Sequence, residues 1–433
     1  MKKAWFCFVL AACLSLFFSC YPKNESANNA QFSAEDIQPH VDTIVTPEAI
    51  IDSSTASDSS YAIQHLTIDG IGIGNYVIVC GGSSNLTGAG IIQDEIFDAI
   101  GKQLTIKLAT VANESEHSIV LCSSGFKNSS DYVAQDGYYG ITSDGHDVYI
   151  YGSTRALEAY AAKRFVYDIL GFNTKSNRAK NPVVDIAMIS HYEPRGPIEF
   201  NKTEDYYTIA TYVMDIDGLS SYNTYEGTAT DGTYLYSIIL DKGSTEGGCS
   251  IIKTNLETLE IVDSRANVQV GHGNDAVYVK KRNQIAVVDY TDRNKVHYLD
   301  PETLQIAETK TVGFSGGLYG ISYNSTYDRY VYGIRGQMTF YIADEHEKVF
   351  SVGSMFTNAT DQGLDCDDNY IYVAYSHENI IMIYDWNGKK ITTIPVSDVS
   401  LEMEGLVHVG DVFYAAFYKS GGKGGVLYRI DFV

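Results

Sequence analysis

The sequence predicts a multidomain protein in which a small α+β sandwich domain is followed by an all-β propeller of five blades. The 433 residues include 34 Tyr and 38 Gly but only 8 Pro, a composition typical of many short strands joined by tight turns. Helical hydrophobic periods occur only in the first half of the folded chain, and a short motif repeats through the second half. The length exceeds one ordinary hydrophobic core, so several folded units are expected.

The repeat predicts a propeller over residues 199–433. Successive glycines of the repeat are 46, 47, 43 and 42 residues apart, and a period of about 40–50 residues with four short strands is typical of propeller blades. The last unit has only three strands, so the spare strand at Tyr207–Asp215 is expected to complete it; six or seven blades is the alternative. The repeated pairs are Glu226-Gly227, His272-Gly273, Tyr319-Gly320, Gln362-Gly363 and Glu404-Gly405.

Residues 61–192 predict the α+β domain. One helix is expected over Gly90–Leu104, and a second is expected to begin at Ser153 or Thr154 and to end before Gly171. The order β-β-α-β-β-β-α predicts a sheet with helices packed on one face. The apolar face of the first helix is expected to consist of Ile91, Ile92, Ile96, Phe97 and Ile100. The expected strands are Ala62–Ile68, Tyr76–Cys80, Ser118–Cys122, Gly137–Thr142 and Asp147–Tyr151.

The first sixty residues predict export and a flexible tether. Two lysines precede an apolar run over Ala4–Phe18, which leads to Ser19 and Cys20 and is shorter than the roughly 20 apolar residues of a membrane-spanning helix. Residues 1–19 resemble a bacterial lipoprotein signal peptide, which implies lipidation of Cys20 and an anchor in the membrane. Secretion without an anchor is the alternative, because two phenylalanines at the end of the run depart from the usual pattern. Residues 20–60 are rich in Ser, Asn and Asp and predict the tether.

The charge argues against a nucleic-acid partner, and the cysteine spacing argues against a structural zinc site. The formal charge is −23, from 54 acidic and 31 basic side chains, which argues against nucleic acid as a partner. Four cysteines follow Cys20 and form no Cys-x-x-Cys pair, so a structural zinc site is not expected. Cys80 and Cys122 both end apolar runs; two free thiols are preferred to a disulfide between them.

The α+β domain resembles the small non-catalytic domain that precedes the barrel in family 20 hexosaminidases, α-glucuronidases and α-N-acetylglucosaminidases. The resemblance rests on Asp136-Gly137-Tyr138, Val148-Tyr149-Ile150-Tyr151-Gly152 and Ile169-Leu170-Gly171. The residues that follow lack the strand–helix alternation of a (β/α)₈ barrel. No active-site residue of those enzymes therefore carries over.

The second half resembles the helveticin J-like bacterial family. The matching stretches are Gly271-His272-Gly273-Asn274-Asp275, Asp300-Pro301-Glu302-Thr303-Leu304 and Gln362-Gly363-Leu364-Asp365. The resemblance implies secretion, and some members of that family are described as bacteriolysins.

The segments that open the blades are expected to place polar side chains around one funnel, since the innermost strand of each blade lines the central channel. Such a ring could hold a sugar by hydrogen bonds or a calcium ion through oxygen ligands, and no other cofactor is expected. In the alternative structural interpretation, the polar residue before each glycine bonds the backbone of the neighbouring blade. The candidate ligand-binding residues are His272, Asn274, Tyr319 and Gln362, and the candidate catalytic carboxylates are Glu226, Asp275, Asp365 and Glu404.

The function that these expectations favour is non-catalytic recognition of a glycan or cell-wall polymer by an exported surface lipoprotein. The first alternative is a glycoside hydrolase or bacteriolysin with a carboxylate pair in the funnel. The second alternative is a platform for protein–protein interaction.

Overall fold

Sheets of antiparallel strands account for most of the folded chain. The computed structural model describes residues 63, 65–82, 86–172, 183–221, 223–241, 248–289, 294–313, 317–335, 339–345, 349–354, 361–376, 378–421 and 423–433. All of them belong to one compact unit, Ser57–Val433. The predicted signal peptide, the tether and Cys20 lie outside the described residues.

The first part of the described chain contains a six-stranded sheet with two helices on one face. Its strand order is β4-β3-β5-β7-β6-β9, with β4, β3, β5 and β7 parallel and β6 and β9 antiparallel to their neighbours. A second, three-stranded sheet has the order β2-β1-β8. The elements are β1 (His65–Ile68), β2 (Ile71–Gly72), β3 (Tyr76–Cys80), α1 (Leu86–Ile100), β4 (Ile106–Leu108), β5 (His117–Leu121), β6 (Tyr138–Ser143), β7 (Val148–Gly152), α2 (Arg155–Arg164), β8 (Val183–Ile186) and β9 (Ser190–Pro194).

Both expected helices are present, but the first begins and ends at other residues than expected. α1 begins four residues earlier than expected and stops before Gly101, whose φ of 72° suits a residue without a side chain. Ile91, Ile92 and Ile96 are buried as expected, but Phe97 is 42% exposed, so its assignment to the apolar face was wrong. For α2 the expected cap is confirmed, since the Thr154 hydroxyl accepts the Leu157 N–H at 3.2 Å.

Short helical turns complete the helical structure of the described residues. A π-helical turn over Phe165–Ile169 continues α2. Single 3₁₀ turns cover Ile73–Asn75, Cys122–Ser124, Ser129–Asp131 and Lys280–Arg282.

The second part consists of five groups of antiparallel strands. Each of the first four groups has four strands paired in chain order; the second, third and fourth are separate sheets, and the first is joined to the fifth in one eight-stranded sheet. The groups are β11 (Asn223–Thr230), β12 (Tyr234–Asp241), β13 (Cys249–Asn255) and β14 (Ile261–Val268); β15 (Asp275–Val279), β16 (Gln284–Asp289), β17 (Lys295–Leu299) and β18 (Ile306–Thr311); β19 (Gly317–Asn324), β20 (Arg329–Arg335), β21 (Thr339–Ala343) and β22 (Val349–Ser354); and β23 (Asp361–Cys366), β24 (Ile371–Tyr375), β25 (Ile380–Tyr384) and β26 (Lys390–Pro395).

The fifth group combines strands from the two ends of this part of the chain. β27 (Glu402–Val409), β28 (Val412–Tyr418) and β29 (Lys423–Phe432) are joined by β10 (Thr208–Ile216), which pairs antiparallel with β29. The expected pairing of the spare strand is therefore confirmed. The start of β29 also pairs with the start of β11, where Asn223 lies opposite Lys423.

The five groups contact one another in a cyclic order. The first strand of each group lies against the first strand of the next, and β27 lies against β11. A buried apolar cluster lies between each neighbouring pair: Ile238 and Ile285 join the first and second groups, and Ile239 and Leu427 join the first and fifth.

The two parts expected to be separate domains share a hydrophobic core. Ile209 of β10 and Val433 are 2% exposed and pack within the cluster formed by α1, α2 and the six-stranded sheet. Their burial joins the fifth group of strands to the α+β part. None of the helices within the described ranges has the length and apolar character that crossing a membrane requires.

Candidate functional site

A β-bulge places the polar residue of the repeat in four of the five groups. Glu226, Tyr319, Gln362 and Glu404 are each the extra residue in a first strand, with no partner on the second strand. A bulge turns the extra side chain away from the regular alternation of the strand. The same device therefore recurs at the same position in four groups.

The glycine after each bulge lets neighbouring first strands approach closely. A Cβ atom on Gly227 would lie 2.9 Å from the Cα of Asp275, and one on Gly363 would lie 3.0 Å from the Cα of Gly405. A Cβ on Gly405 would lie 3.0 Å from the Cβ of Thr228. These distances leave no room for a side chain, which explains the glycine of the repeat.

The second group departs from the expected alignment by two residues. β15 begins at Asp275 and pairs with β16 without a bulge, and His272-Gly273 precedes the strand. Asp275 takes the position that glycine has elsewhere, since its carboxylate lies 3.4 Å from where a Cβ on Gly320 would be. Asn274, not His272, is therefore the equivalent of the four bulge residues.

The carboxylate of Asp275 connects three first strands. Its Oδ2 atom accepts the N–H of Ile321 at 2.9 Å and the N–H of Leu364 at 3.0 Å. Its Oδ1 atom accepts the N–H of Ala276 at 2.9 Å. Burial raises the pKa of Asp275, and the three N–H donors oppose that change. These contacts give Asp275 a structural role of the kind expected in the alternative interpretation.

We call the five equivalent residues the axial ring; it consists of Glu226, Asn274, Tyr319, Gln362 and Glu404. All except the half-buried Tyr319 are at most 9% exposed. The Tyr319 hydroxyl donates to Gln362 Oε1 at 3.1 Å. The Oδ1 atom of Asn274 is buried and accepts no hydrogen bond from the described residues.

Two acidic residues of the axial ring influence each other. Burial raises the pKa of Glu404 well above its ordinary value, and the nearby charges of Glu226 and Glu402 raise it further. Glu226 also faces His272, whose Nδ1 atom lies 3.1 Å from Glu226 Oε2. The His272 side chain is 30% exposed, so this end of the axial ring is open to solvent.

Asp365 belongs to a different contact, with a histidine that the sequence analysis did not single out. His408 Nδ1 lies 2.7 Å from Asp365 Oδ2, and Asp365 Oδ1 accepts the N–H of Cys366 at 2.8 Å. The Asp365 carboxylate raises the pKa of His408 to about 9. Burial raises the pKa of Asp365 and the imidazolium lowers it; we assign the pair as imidazolium and carboxylate at neutral pH. No local motif marks His408, because its partner lies 43 residues away in the chain.

Among the four candidate carboxylates, Asp275 and Asp365 accept backbone N–H groups, whereas Glu226 pairs with His272 and Glu404 lies near Glu226. Within the described ranges, no group of three His, Cys, Asp or Glu side chains has the arrangement that holds a metal ion. The axial ring includes amide and carboxylate oxygens, which are also the ligands that calcium prefers. Cys80, Cys122, Cys249 and Cys366 are free thiols, and Cys122 is half-buried.

Comparisons with known proteins add little to this geometry. No family model matches the chain, and no curated protein matches it. Among solved structures, a hydrazine synthase chain from Kuenenia stuttgartiensis is similar at a TM-score of 0.30 and 13% identity, over 44% of this chain and 61% of that chain. The similarity thus spans less than two thirds of the hydrazine synthase chain and does not establish a function. The resemblances to accessory domains and to the helveticin J-like family stay predictions.

Proposed function

We propose that the protein is an exported surface lipoprotein whose five strand groups are the blades of a closed β-propeller, and that the axial ring recognises a glycan or cell-wall polymer without catalysis. The observation that carries the proposal is the ring itself, with one polar side chain from each group and a buried, unpartnered oxygen on Asn274. The cyclic contacts and the shared apolar clusters support the propeller.

The chemistry of the axial ring suits sugar hydroxyls. Amide groups of Asn and Gln both donate and accept hydrogen bonds, and carboxylates accept them. Sugar hydroxyls also do both, so a set of mixed partners orients a sugar edge better than a set of like charges. An unpartnered buried oxygen costs free energy in the empty protein, and a ligand hydroxyl that donates to Asn274 removes that cost.

The proposed export rests on the N-terminal pattern alone. Lipidation of Cys20 would hold the protein on the outer side of a membrane, with the tether between the anchor and the folded part. Metabolic labelling with an alkyne fatty acid in the bacterial host tests it: the full chain should carry the label and Cys20→Ala should not. Label on the Cys20→Ala variant would contradict the proposal.

The binding experiment uses the full chain in detergent. The protein is incubated with host, plant and bacterial polysaccharides and with peptidoglycan, and both pull-down and newly released reducing ends are measured. We expect binding without release, and binding about tenfold weaker in Asn274→Ala and Gln362→Ala, a loss typical of one or two hydrogen bonds. Gln103→Ala, an exposed glutamine of the α+β part, is the matched control. Absence of binding to every polymer would contradict the proposal.

One observation favours catalysis as the second candidate. Glu404, with a raised pKa, lies close to Glu226, and a protonated acid beside an ionised carboxylate is the pair that glycoside hydrolysis requires. In that case the incubation releases reducing ends, and the release disappears in Glu404→Gln while binding persists. Release that is unchanged in Glu404→Gln and in Glu226→Gln would exclude this pair.

A further inference from the structure

A cavity lies where the α+β part meets the fifth group of strands. Its volume is about 190 Å³, and it is bordered by the end of α2, by the segment after β9 and by Val433. We call it the junction cavity. The charged and aromatic residues on its wall are Tyr160, Lys163, Arg164, Arg195, Glu199, Glu204 and Tyr206.

Two of the three cations on this wall share one carboxylate. Glu204 Oε2 lies 3.2 Å from Lys163 Nζ and 3.2 Å from an Arg164 guanidinium nitrogen. Arg164 also pairs at 3.1 Å with Asp168, whose side chain is 48% exposed and which does not border the cavity. The wall of the junction cavity therefore carries three cationic residues, Lys163, Arg164 and Arg195, and two carboxylates, Glu199 and Glu204.

Arg195 contributes a cation without a paired anion among the described carboxylates. Its guanidinium donates to the Phe432 carbonyl and lies 4.6 Å from the centre of the Tyr160 ring. Burial lowers the pKa of Arg195; Tyr160, Asp431 and Asp411 raise it, and the charge of Arg164 lowers it. A guanidinium presents five N–H donors, so one backbone acceptor leaves donors for a ligand.

Lys163 is a buried cation on the same wall. Its side chain is 2% exposed and its ammonium lies 4.2 Å from the centre of the Tyr206 ring. Burial lowers the pKa of Lys163 to about 8; Glu204 raises it, and Arg164 and Arg195 lower it. The Nε atom of Arg164 is buried and donates to no group within the described part of the chain. An anion in the junction cavity would act on both groups.

We infer that the junction cavity binds a small oxyanion, a carboxylate or a phosphate, held by Arg195, Arg164 and Lys163. Planar carboxylates and phosphate oxygens match the paired donors of guanidinium groups, and lysine adds a point charge. The volume is below the about 300 Å³ of common ligand pockets, so the ligand is of the size of inorganic phosphate or one sugar acid. Because the wall combines both parts of the fold, an oxyanion there would stabilise their junction.

Titrations with inorganic phosphate and with glucuronate show whether the cavity binds a phosphate or a carboxylate. Each is titrated into the full chain at constant ionic strength and pH 7, with calorimetry and thermal unfolding as readouts and with chloride and glucose as controls. We expect phosphate, glucuronate or both to bind and to raise Tm, and glucose to have no effect. Binding of phosphate alone assigns the cavity to phosphate groups, and binding of glucuronate alone assigns it to sugar acids.

Substitutions and pH test whether binding occurs in the junction cavity. Arg195→Gln and Lys163→Met should weaken binding about tenfold or more, as expected for loss of a charge-assisted contact, and Arg195→Lys should restore part of it. Lys253→Met is the matched control, because Lys253 is also buried and lies 4.4 Å from the centre of a tyrosine ring, on β13. Binding should also weaken as the pH rises through about 8, where Lys163 loses its proton.

Oxyanion binding in the junction cavity does not require the axial ring. If neither oxyanion raises Tm more than chloride does, or if Arg195→Gln binds as tightly as the unchanged protein, the cations serve only to join the two parts of the fold. Should Lys163→Met fail to fold, the result from Arg195→Gln decides. Glu404→Gln should leave oxyanion binding unchanged, so that failure of the glycan proposal and failure of this one can be told apart.

Discussion

Asp275 shows how one buried side chain organises several strands. Removing it in Asp275→Ala leaves the N–H groups of Ile321 and Leu364 buried without their acceptor. We expect a loss of about 3–5 kcal/mol in the free energy of unfolding, measured by urea denaturation of the full chain. Asp263→Ala is the control, since Asp263 is exposed and accepts the N–H of the next residue. Equal effects of the two substitutions would contradict the structural role of Asp275.

The pair of Asp365 and His408 predicts a dependence of stability on pH. The pKa of His408 is raised from 6.5 to about 9, so the folded protein holds the proton more tightly than the unfolded chain does. The resulting stabilisation is complete below about pH 6.5 and disappears as the pH rises through about 9; it amounts to about 3 kcal/mol. Urea denaturation between pH 6 and pH 9 should show this decrease as a shrinking difference in stability between the unchanged protein and His408→Gln, because the opposite contribution of Lys163 is common to both proteins.

A second histidine provides the control for this pH experiment. The His146 side chain is 46% exposed, so His146→Gln should leave the decrease between pH 6.5 and pH 9 in place. If His408→Gln and the unchanged protein lose stability equally over this range, the pair is not the cause.

At the scale of single residues, the repeat predicted four of the five residues of the axial ring, but not the contacts of Asp275 and Asp365. The repeat marked Glu226, Tyr319, Gln362 and Glu404, because a local pattern recurs wherever a bulge is needed. It misaligned the second group, because Asp275 replaces the glycine there and Gly273 happened to be close by. His408 could not be predicted, since its contact with Asp365 depends on how two groups pack.

At the scale of elements, the close approach of first strands makes the glycines intolerant of substitution. In Gly227→Ala the new Cβ would lie 2.9 Å from the Asp275 Cα, so the strands must separate. We expect a loss of about 1–3 kcal/mol, typical of overpacking. Gly90→Ala is the control: it lies within α1, its Cβ would contact nothing within 4 Å, and we expect it to stabilise the protein by about 0.5–1 kcal/mol. Thermal unfolding of both variants tests the contrast.

The strands and helices themselves were largely predictable, and their ends were not. The period of apolar residues located α1 and α2, and Thr154 and Gly171 marked the start of α2 and the end of its π-helical extension. The end of α1 was misplaced because the apolar pattern continues to Leu104, whereas the helix stops at Ile100, before Gly101. Short strands such as β4, with three residues, carry too few side chains for a periodic signal.

For the whole molecule, the shared core predicts that both parts unfold together. Ile209 lies on β10 but packs within the core of the α+β part. Ile209→Ala should cost about 2–5 kcal/mol and lower the transition of both parts in differential scanning calorimetry. Ile261→Ala, at a position 51% exposed, is the control and should change little. Two separate transitions in the unchanged protein, of which only one moves, would contradict this coupling.

The sequence did not predict this coupling. Composition and repeats divided the chain near residue 199, since they report on each segment separately. Nothing local in Thr208–Ile216 shows that Ile216 packs between the first and fifth groups whereas Ile209 packs in the α+β core.

The pairing of β10 with β29 also determines when the molecule can be finished during its synthesis. Strands of the first four groups find partners among residues made shortly before or after them. β10 must wait until Lys423 and the residues after it have been added, about 200 residues later. At translation rates of about 5–20 residues per second, that delay is roughly 10–40 s. Throughout this time the nascent chain carries one strand without its partner, and it is at this stage that chaperones would protect it from aggregation.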